Sequence, residues 1–364
     1  MSKKLKGLSK QMATKPERQN ERTTLHEVAT LAGVSASTVS LVLAGKASHR
    51  RISEDTRRRV RKAAEELNYA PNLLTRSLRR GRTHILSFFS TFRHREWNDQ
   101  YMARLSSAVE TAGGTEGYDI LVHCNFNRSP LETYQFLNGG LADGLLLFAP
   151  RHDDPLLPLL RKSSLPVVIL NGRDPLGEYA SIADDVAHGM RLVAESLVAY
   201  GHRDVAALRG EGGDARDALV RIELLQRYLA ESGITIPDRW MLGSSDDAVP
   251  VVERLMSDPN PPTAVFCWHD RLAYQVLSAC ESLGIRVPDQ LSVVGYDGLQ
   301  WPSATKHVAA SVQVDLNALA QRGVHLLDLY IKGYEGPPLL EVLPVSFDPG
   351  TSLGAAIDTQ RSKL

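Results

Sequence analysis

Apolar side chains recur at helical spacing over residues 25–32, where they fall at i, i+3, i+4 and i+7. Thr24 and Glu27 stand at the start of this segment in the arrangement of a capping box, in which each side chain satisfies a free backbone amide at the helix end. Gly33 follows and permits a tight turn because it lacks a Cβ atom. The pattern therefore predicts a short helix that ends in a sharp turn.

A second short helix is predicted directly after this turn. Ser35 is a suitable N-cap, and Val39, Val42 and Leu43 give the helix an apolar inner face. The side chains left facing outward are those of Ala36, Ser37, Ser40 and Leu41. Two short helices joined by a glycine turn are typical of a helix-turn-helix, whose second helix is shaped to enter the DNA major groove.

A third, strongly basic helix is predicted between Ser53, a capping residue, and Asn68, a residue that tolerates the left-handed conformation at a helix end. It contains the run Arg57-Arg58-Arg59-Val60-Arg61-Lys62. Such a run is suited to contacts with phosphates, but phosphate contacts alone cannot read bases.

From residue 83 onward the pattern changes to alternating strands and helices. The predicted strands are 85–90, 120–124, 144–149, 167–170, 205–209, 264–267 and 292–296. The helical patterns are roughly 101–113, 131–139, 186–200, 217–231, 249–256, 271–283 and 315–332. This alternation predicts parallel sheets with helices on both faces, and the repeated rhythm indicates two similar subdomains.

The charge distribution also divides the chain into two parts. The 364 residues carry no net charge, yet residues 1–82 contain 19 Lys and Arg against 7 Asp and Glu. This net charge of +12 is balanced by −12 over the remaining residues. Such asymmetry is typical of a nucleic-acid-binding segment attached to an acidic body. The alternative is a solvated basic tail, which the patterned helices disfavour.

The remaining composition points away from membranes and metal sites. Cys124, Cys267 and Cys280 lack metal-ligand spacing and are predicted to be buried thiols in a reducing compartment. Residues 1–22 are polar and aperiodic, which predicts a disordered basic arm. No apolar run approaches the length of a membrane span, and no signal-peptide core follows the basic start. We therefore expect a cytoplasmic protein with no membrane contact, no cofactor, no metal and no catalytic residue.

Residues 24–83 resemble the DNA-binding head of the lactose/purine repressor family (LacI/GalR type). The resemblance is carried by the stretches TLHEVATLAGVSASTVSLVLAGK and RISEDTRRRVRKAAEELNYAPNLLTRSLRRGRT. It is close over about 60 residues and continues more loosely to about residue 350. Landmarks in the looser part include Gly201-His202-Arg203 and Ser292-Val293-Val294-Gly295-Tyr296-Asp297.

The resemblance implies an all-α helix-turn-helix head followed by an α/β body with the periplasmic-binding-protein-like fold, built from two parallel-sheet subdomains. The expected divisions are a disordered arm at 1–22, the head at 23–70, a hinge helix and linker at 71–82, and an effector-binding and dimerisation domain at 83–364. Within that domain the N-subdomain is expected at about 83–182 and 312–341, and the C-subdomain at about 183–311 and 342–355, with crossovers near 181–185, 311–314 and 340–344.

The resemblance also implies DNA contacts, residue by residue. Ala36, Ser37 and Leu41 match positions that touch base edges. Leu41 stands where many relatives carry Arg or His; a leucine cannot hydrogen-bond a guanine but can pack on a thymine methyl group. The positions that match contacts with backbone phosphates are Thr38, Ser40, Ser53, Thr56 and Tyr69, and Thr24 is a further DNA-binding candidate.

Residues 72–80 match the family's hinge helix, which folds on operator DNA. Asn72 and Thr75 are DNA-binding candidates within it. Leu78 matches the leucine that wedges between the central base pairs in the minor groove and kinks the duplex. An ordinary interface leucine is the alternative for this position.

The same resemblance implies six effector-binding candidates, which are Trp97, Asn171, Arg221, Trp268, His269 and Asp297. Arg221 matches an arginine that clamps ligand hydroxyls or carboxylates, and Asp297 matches a ligand-binding carboxylate. His269 stands where relatives often carry Asn, and Asn171 matches a further cleft position. Trp97 and Trp268 could stack on a sugar or base face. The alternatives are a surface arginine at 221 and packing roles for the two tryptophans.

Together these observations predict a ligand-responsive, sequence-specific DNA-binding transcriptional regulator. We expect a repressor that binds double-stranded operator DNA as a homodimer and responds to a small-molecule effector, a sugar or related metabolite. One alternative is a solute-binding protein without a DNA role, which the basic head disfavours. The other is an enzyme, since His269, Asp270, Cys280 and Glu281 are ionisable neighbours, but no nucleophile elbow, P-loop or metal signature accompanies them.

Overall fold

The computed structural model describes residues 23–44, 52–70, 77, 81–90, 99–125, 127–210, 216–245 and 247–356. The contacts divide the chain into two compact units, Met1–Thr83 and His84–Leu364, here called the head and the body. The arm predicted at 1–22 and most of the hinge predicted at 71–82 lie outside the described residues.

The head contains the three predicted helices, α1 (Leu25–Ala32), α2 (Ala36–Leu43) and α3 (Glu54–Glu66). Their inner faces meet in one small core, in which Val28 and Val60 are completely buried. Each helix places its apolar residues at the predicted spacing, so burial of one face of each helix drives them together.

Side-chain caps set the start of each head helix. Thr24 Oγ1 accepts a hydrogen bond from the Glu27 amide, and Glu27 accepts one from the Thr24 amide in return. The hydrogen bonds that the Thr24 amide and hydroxyl donate to the Glu27 carboxylate lower the pKa of Glu27. Ser35 caps α2 in the same manner through the Thr38 amide. The glycine turn is confirmed, with Gly33 at φ +64°.

The first body sheet is wholly parallel and contains strands β1 (Ile85–Ser90), β2 (Asp119–Val122), β3 (Gly144–Phe148), β4 (Val167–Leu170), β5 (Ala180–Asp184) and β11 (Leu340–Leu343). Its order is β11-β5-β4-β3-β1-β2. The strand after β1 lies on one side of it, and β3 and the strands that follow lie on its other side. This reversal of strand order between β1 and β3 creates a crevice at their carboxyl ends.

The second body sheet repeats this plan with strands β6 (Val205–Gly210), β7 (Met241–Ser244), β8 (Ala264–Cys267), β9 (Ser292–Asp297), β10 (Ala310–Gln313) and β12 (Ser346–Asp348). Its order is β12-β10-β9-β8-β6-β7. All described pairs in this sheet are parallel except β10 with β12. The predicted pair of similar parallel-sheet subdomains is confirmed.

Helices cover both faces of each sheet. The described body helices are α4 (Gln100–Thr115), α5 (Pro130–Leu137), α6 (Leu157–Leu160), α7 (Val186–Ala199), α8 (Arg216–Ala230), α9 (Val249–Met256), α10 (Asp270–Ser282) and α11 (Leu316–Ile331). Two hydrophobic clusters flank each sheet, one on either face. Near-continuous burial along strands such as Val167–Leu170 follows from this double cover.

The chain passes from one sheet to the other directly after β5, β10 and β11. The segments predicted near 181–185, 311–314 and 340–344 are therefore strands as well as the approaches to these crossovers. Within the described residues, no single helix is long and apolar enough to cross a membrane, and α1 with α2 reaches that level only as a pair bent by 101°.

One expectation about the cysteines is wrong. Cys267 and Cys280 are buried as predicted, but Cys124 is exposed. It follows β2, an edge strand of the first sheet whose residues are only partly buried, so the apolar pattern at 120–124 did not reflect complete cover.

Candidate DNA-binding surface and ligand-binding cleft

Helix α2 presents a hydroxyl-rich, uncharged face to solvent. Ser35 Oγ lies 2.8 Å from Ser37 Oγ and 2.9 Å from Thr38 Oγ1, so the capping site and the first turn share one hydrogen-bonded group. Ser37 is exposed and Leu41 is half-buried. Ala36, predicted to face outward, packs instead against the edge of the head core.

The basic run on α3 is partly neutralised within its own helix. Arg57 pairs with Glu54 at 3.1 Å, while Arg58 and Arg59 pair with Asp55 at 2.5 and 3.5 Å. Exposed pairs of this kind are weak, about 0.3–0.5 kcal/mol each, and a phosphate can replace the carboxylate. The two remaining basic side chains of the run are exposed.

Of the other sequence-predicted DNA-binding residues, some lie in the described part of the head and some lie outside the described residues. Ser53 and Thr56 share a hydrogen bond at the start of α3, and Tyr69 packs against the edge of the head core. The candidates outside the described residues are Asn72, Thr75 and Leu78. Trp97, an effector-binding candidate, also lies outside them.

In the body, the remaining effector candidates stand at the carboxyl ends of strands. Trp268 and His269 directly follow β8, Asp297 ends β9, and Asn171 directly follows β4. Ligands bind at these strand ends in open α/β sheets because the loops there surround a crevice. Arg221 reaches the same region of the second sheet from α8.

Arg221 is the centre of this arrangement and is only 6% exposed. Its Nη1 donates to the backbone carbonyl of Trp268 at 2.6 Å, and its Nη2 lies 3.5 Å from Asp297 Oδ1. The guanidinium carbon stands 3.7 Å from the centre of the Tyr296 ring. The structure thus places Arg221 inside the body rather than on its surface, with a carboxylate and an aromatic face to compensate its charge.

His269 is the N-cap of α10, where its Nδ1 accepts a hydrogen bond from the Leu272 amide at 3.0 Å. An accepting Nδ1 carries no proton, so the neutral imidazole carries its proton on Nε2. Burial lowers the pKa of His269 to about 3, with the charges of Arg221 and Arg271 as smaller causes. The Trp268 ring stacks on the imidazole, with ring centres 4.0 Å apart.

Asp270 is a site residue that the sequence did not single out for ligand binding. It is completely buried and accepts hydrogen bonds from the Leu299 amide and the Ser311 hydroxyl, both at 2.6 Å. Burial raises the pKa of Asp270 well above its usual range, and the nearby charge of Asp297 raises it further. Its position directly after His269 was visible in the sequence, but its burial depends on residues about 30 and 40 positions away.

Two candidates have a backbone conformation that side chains rarely adopt. Asn171 has φ +51° and Asp297 has φ +115°. Strained backbone of this kind persists only where surrounding structure holds it, and it clusters at binding sites. Asn171 Nδ2 donates to the Tyr101 hydroxyl at 3.1 Å, which fixes its side chain in the first-sheet half of the body.

A buried hydrogen bond joins the two halves of the body near the carboxyl ends of β5 and β9. The Tyr296 hydroxyl, on β9, donates to Asp184 Oδ2, on β5, at 2.5 Å. Tyr296 is also the ring under Arg221. A single residue, Tyr296, therefore contacts both the Arg221 guanidinium and the Asp184 carboxylate of the other sheet.

Trp268 leaves one polar atom without a partner. Its indole Nε1 is buried and makes no hydrogen bond to any described residue. A buried donor without a partner lowers the stability of the fold by about 1–3 kcal/mol unless another group accepts a hydrogen bond from it. The residues around Arg221 therefore combine a cation, a carboxylate, a fixed imidazole and an indole donor, a set suited to holding a polar small molecule. Among the described residues, no cluster of His, Cys, Asp and Glu could hold a metal ion.

Known protein families match both the head and the body. Residues 24–72 match the model of the lacI family of bacterial regulatory proteins, and residues 194–353 match a periplasmic binding protein-like domain. The HTH-type transcriptional repressor PurR of Photobacterium profundum is 30% identical over 283 residues, covering 76% of this chain and 82% of that protein. The repressor of the same name from Vibrio parahaemolyticus is 31% identical over 284 residues, with the same coverage.

Solved structures share the fold. A complex of the transcriptional regulator CelR with cellobiose has a TM-score of 0.66 at 25% identity, covering 91% of this chain and all of that one. The lac repressor dimer bound to operator and the anti-inducer ONPF has a TM-score of 0.79 at 24% identity, covering 92% of this chain and all of that one.

The fold and sites define a DNA-binding transcriptional regulator in which a helix-turn-helix head is attached to a ligand-binding body of the periplasmic-binding-protein type. The chain belongs to the lacI family of bacterial regulatory proteins.

Proposed function

We propose that this regulator is a repressor that binds a two-fold-related operator as a homodimer and is controlled by a small-molecule effector, a sugar or related metabolite. Its relatives named PurR are repressors, and its structural neighbours include a lac repressor dimer on operator DNA and a complex with cellobiose. A two-fold dimer places two copies of α2 on equivalent half-sites, which makes a pseudo-palindromic operator the matching target. Action on bacterial DNA implies a cytoplasmic protein.

The observation that carries the effector assignment is the position of Arg221. Its guanidinium donates a hydrogen bond to the Trp268 carbonyl and lies 3.5 Å from the Asp297 carboxylate. These two residues stand at the carboxyl ends of the neighbouring strands β8 and β9. A guanidinium and a carboxylate at this distance can together donate to and accept from adjacent ligand hydroxyls. The proposal therefore places the effector against Arg221 and Asp297, with Trp268 and His269 beside it and Asn171 in the opposite half of the body.

The proposed response assumes that the effector lies between the two sheets. A ligand that contacts both halves binds one relative arrangement better than the other and shifts the equilibrium toward it. The Tyr296 ring contacts the Arg221 guanidinium, and its hydroxyl donates the hydrogen bond to Asp184 that connects the same two halves. We propose that ligand binding changes the relative position of the two sheets through this contact.

The proposal assigns no catalytic residue to the cleft. His269 Nδ1 already accepts a backbone hydrogen bond as a helix cap, and both oxygens of Asp270 accept hydrogen bonds from described residues. Neither group is free to act as a general base without breaking these bonds. Binding is the role that their geometry supports.

The test compares the full chain with a variant lacking residues 1–81. The head and the body have separate hydrophobic cores, so removal of the first leaves the second intact. DNA binding is measured by selection from random duplexes. Ligand binding is measured by thermal shift with cellobiose, other mono- and disaccharides, and free nucleobases.

We expect the full chain to enrich a discrete two-fold-symmetric sequence, and both proteins to bind the same small molecule. DNA binding that survives the deletion would contradict the assignment of the head. The absence of any enriched sequence with the full chain, relative to a neutral control protein, would contradict the regulator itself.

A further inference from the structure

The surface of α2 lacks the side chains that make paired hydrogen bonds to bases. The helix reads Ala-Ser-Thr-Val-Ser-Leu-Val-Leu and contains no arginine, lysine, asparagine or glutamine. Such side chains make the bidentate contacts that distinguish guanine and adenine in the major groove. The hydroxyls of its first turn share hydrogen bonds with the Ser35 cap. The helix must therefore read bases by another means.

Leu41 is the apolar residue that this surface offers. It lies one helical turn after Ser37, on the same face, and is half-buried. Val39, Val42 and Leu43 contribute to the head core, but among the described side chains of that core Leu41 does not appear. Part of the Leu41 side chain stays exposed on this hydroxyl-rich face, and only a partner outside the head can bury that remaining part.

The major groove offers one apolar group to such a side chain, the C5 methyl of thymine. We propose that Leu41 reads the C5 methyl group of a thymine in each operator half-site, and that this contact is the main base discrimination made by α2. The inference rests on the proposed function, since it assumes that α2 enters the groove. It deepens that function by naming the chemical group that is recognised.

The test starts from the sequence selected by the full chain and replaces each thymine of the half-sites, one at a time, by deoxyuridine. Deoxyuridine retains every hydrogen-bonding group of thymine and lacks only the methyl. We expect one thymine in each half-site at which this change weakens binding about fourfold, and about 15-fold when both half-sites are changed, from the transfer free energy of one buried carbon group. Fluorescence anisotropy with labelled duplexes measures the affinities.

Variants assign the effect to the side chain. Leu41→Ala should bind the thymine and deoxyuridine duplexes equally, because the apolar contact is gone from both. Leu41→Met, which keeps an apolar side chain of similar size, should retain most of the difference. Ser37→Ala, one turn away on the same face, is the matched control and should leave the ratio between the two duplexes unchanged whatever its affinity.

Each other result contradicts the inference. A selected half-site in which no thymine is sensitive to its methyl would overturn it, as would a methyl effect that persists in Leu41→Ala. Cytosine and 5-methylcytosine at the sensitive position provide a second readout, since the methylated base should bind more tightly to the wild type alone. A failure to select any sequence would instead contradict the proposed function, and the inference with it.

Discussion

The protonation of His269 makes the stability of the body depend on pH. Its pKa is about 3 in the folded chain because the imidazole is buried, against about 6.5 in an unfolded chain. Below pH 6.5 the unfolded chain therefore binds a proton that the folded chain does not. The neutral histidine's contribution to the free energy of unfolding is fully present above pH 6.5 and is lost as the pH falls toward 3.

The magnitude follows from the two pKa values. Each pH unit between them changes the free energy of unfolding by about 1.4 kcal/mol. Between pH 7.5 and pH 5.0 the wild type should lose about 2 kcal/mol on account of this one group. His123, whose pKa burial also lowers, to about 4, and His202, whose pKa burial lowers as well, add to the acid sensitivity of the body.

The variant His269→Asn isolates the contribution of His269. An asparagine oxygen can accept the Leu272 amide as a helix cap, so the bond at the start of α10 is retained while the titrating group is removed. His123 and His202 are present in both proteins, and their effects cancel in the comparison. His152→Asn, the same substitution at an exposed position, is the control.

Urea unfolding followed by tryptophan fluorescence supplies the measurement. The four tryptophans all lie beyond residue 83, so the signal reports on the body alone. We expect the decrease from pH 7.5 to 5.0 to be about 2 kcal/mol smaller in His269→Asn than in the wild type and in His152→Asn. Equal decreases in all three proteins would refute a neutral, buried imidazole at this position.

Three further outcomes are expected. Arg221→Ala should abolish the effector-dependent change in operator affinity while operator binding persists; an unaltered dose response would remove Arg221 from the site. Leu78→Ala should weaken operator binding and leave ligand affinity unchanged, because the wedge acts only on DNA; equal operator affinity would count against that role. Tyr296→Phe should lower the free energy of unfolding by about 2 kcal/mol, since Asp184 loses a buried hydrogen-bond donor; urea titration measures this, and an unchanged value would contradict it.

Much of the fold was predictable because local patterns carry it. The strands at Val167–Leu170 and Ala264–Cys267 have the predicted bounds, since both are short apolar runs covered on two faces. Strands β5 and β10 were not predicted as strands. Each carries two polar residues within its short length, and its extended conformation also depends on pairing with a strand that comes much later in the chain, β11 for β5 and β12 for β10.

The sequence predicted which residues form the candidate site better than it predicted their burial and protonation. The resemblance to the repressor family named Arg221, Trp268, His269 and Asp297, and the structure brings these four together through contacts around Arg221 and Trp268. Asp270 was adjacent in sequence but gained its role only when β9 and β10 placed their neighbouring groups around it.

The sequence by itself determined the helices of the head, with their caps and glycine turn, because these depend on residues within four positions of each other. It also determined the alternation of strands and helices and the uneven distribution of charge. Tertiary structure decided the order of the strands, the burial of Arg221 and the protonation of His269. Burial and electrostatic environment are properties of the surrounding atoms, and in this body those atoms come from segments as distant as β5 and β9.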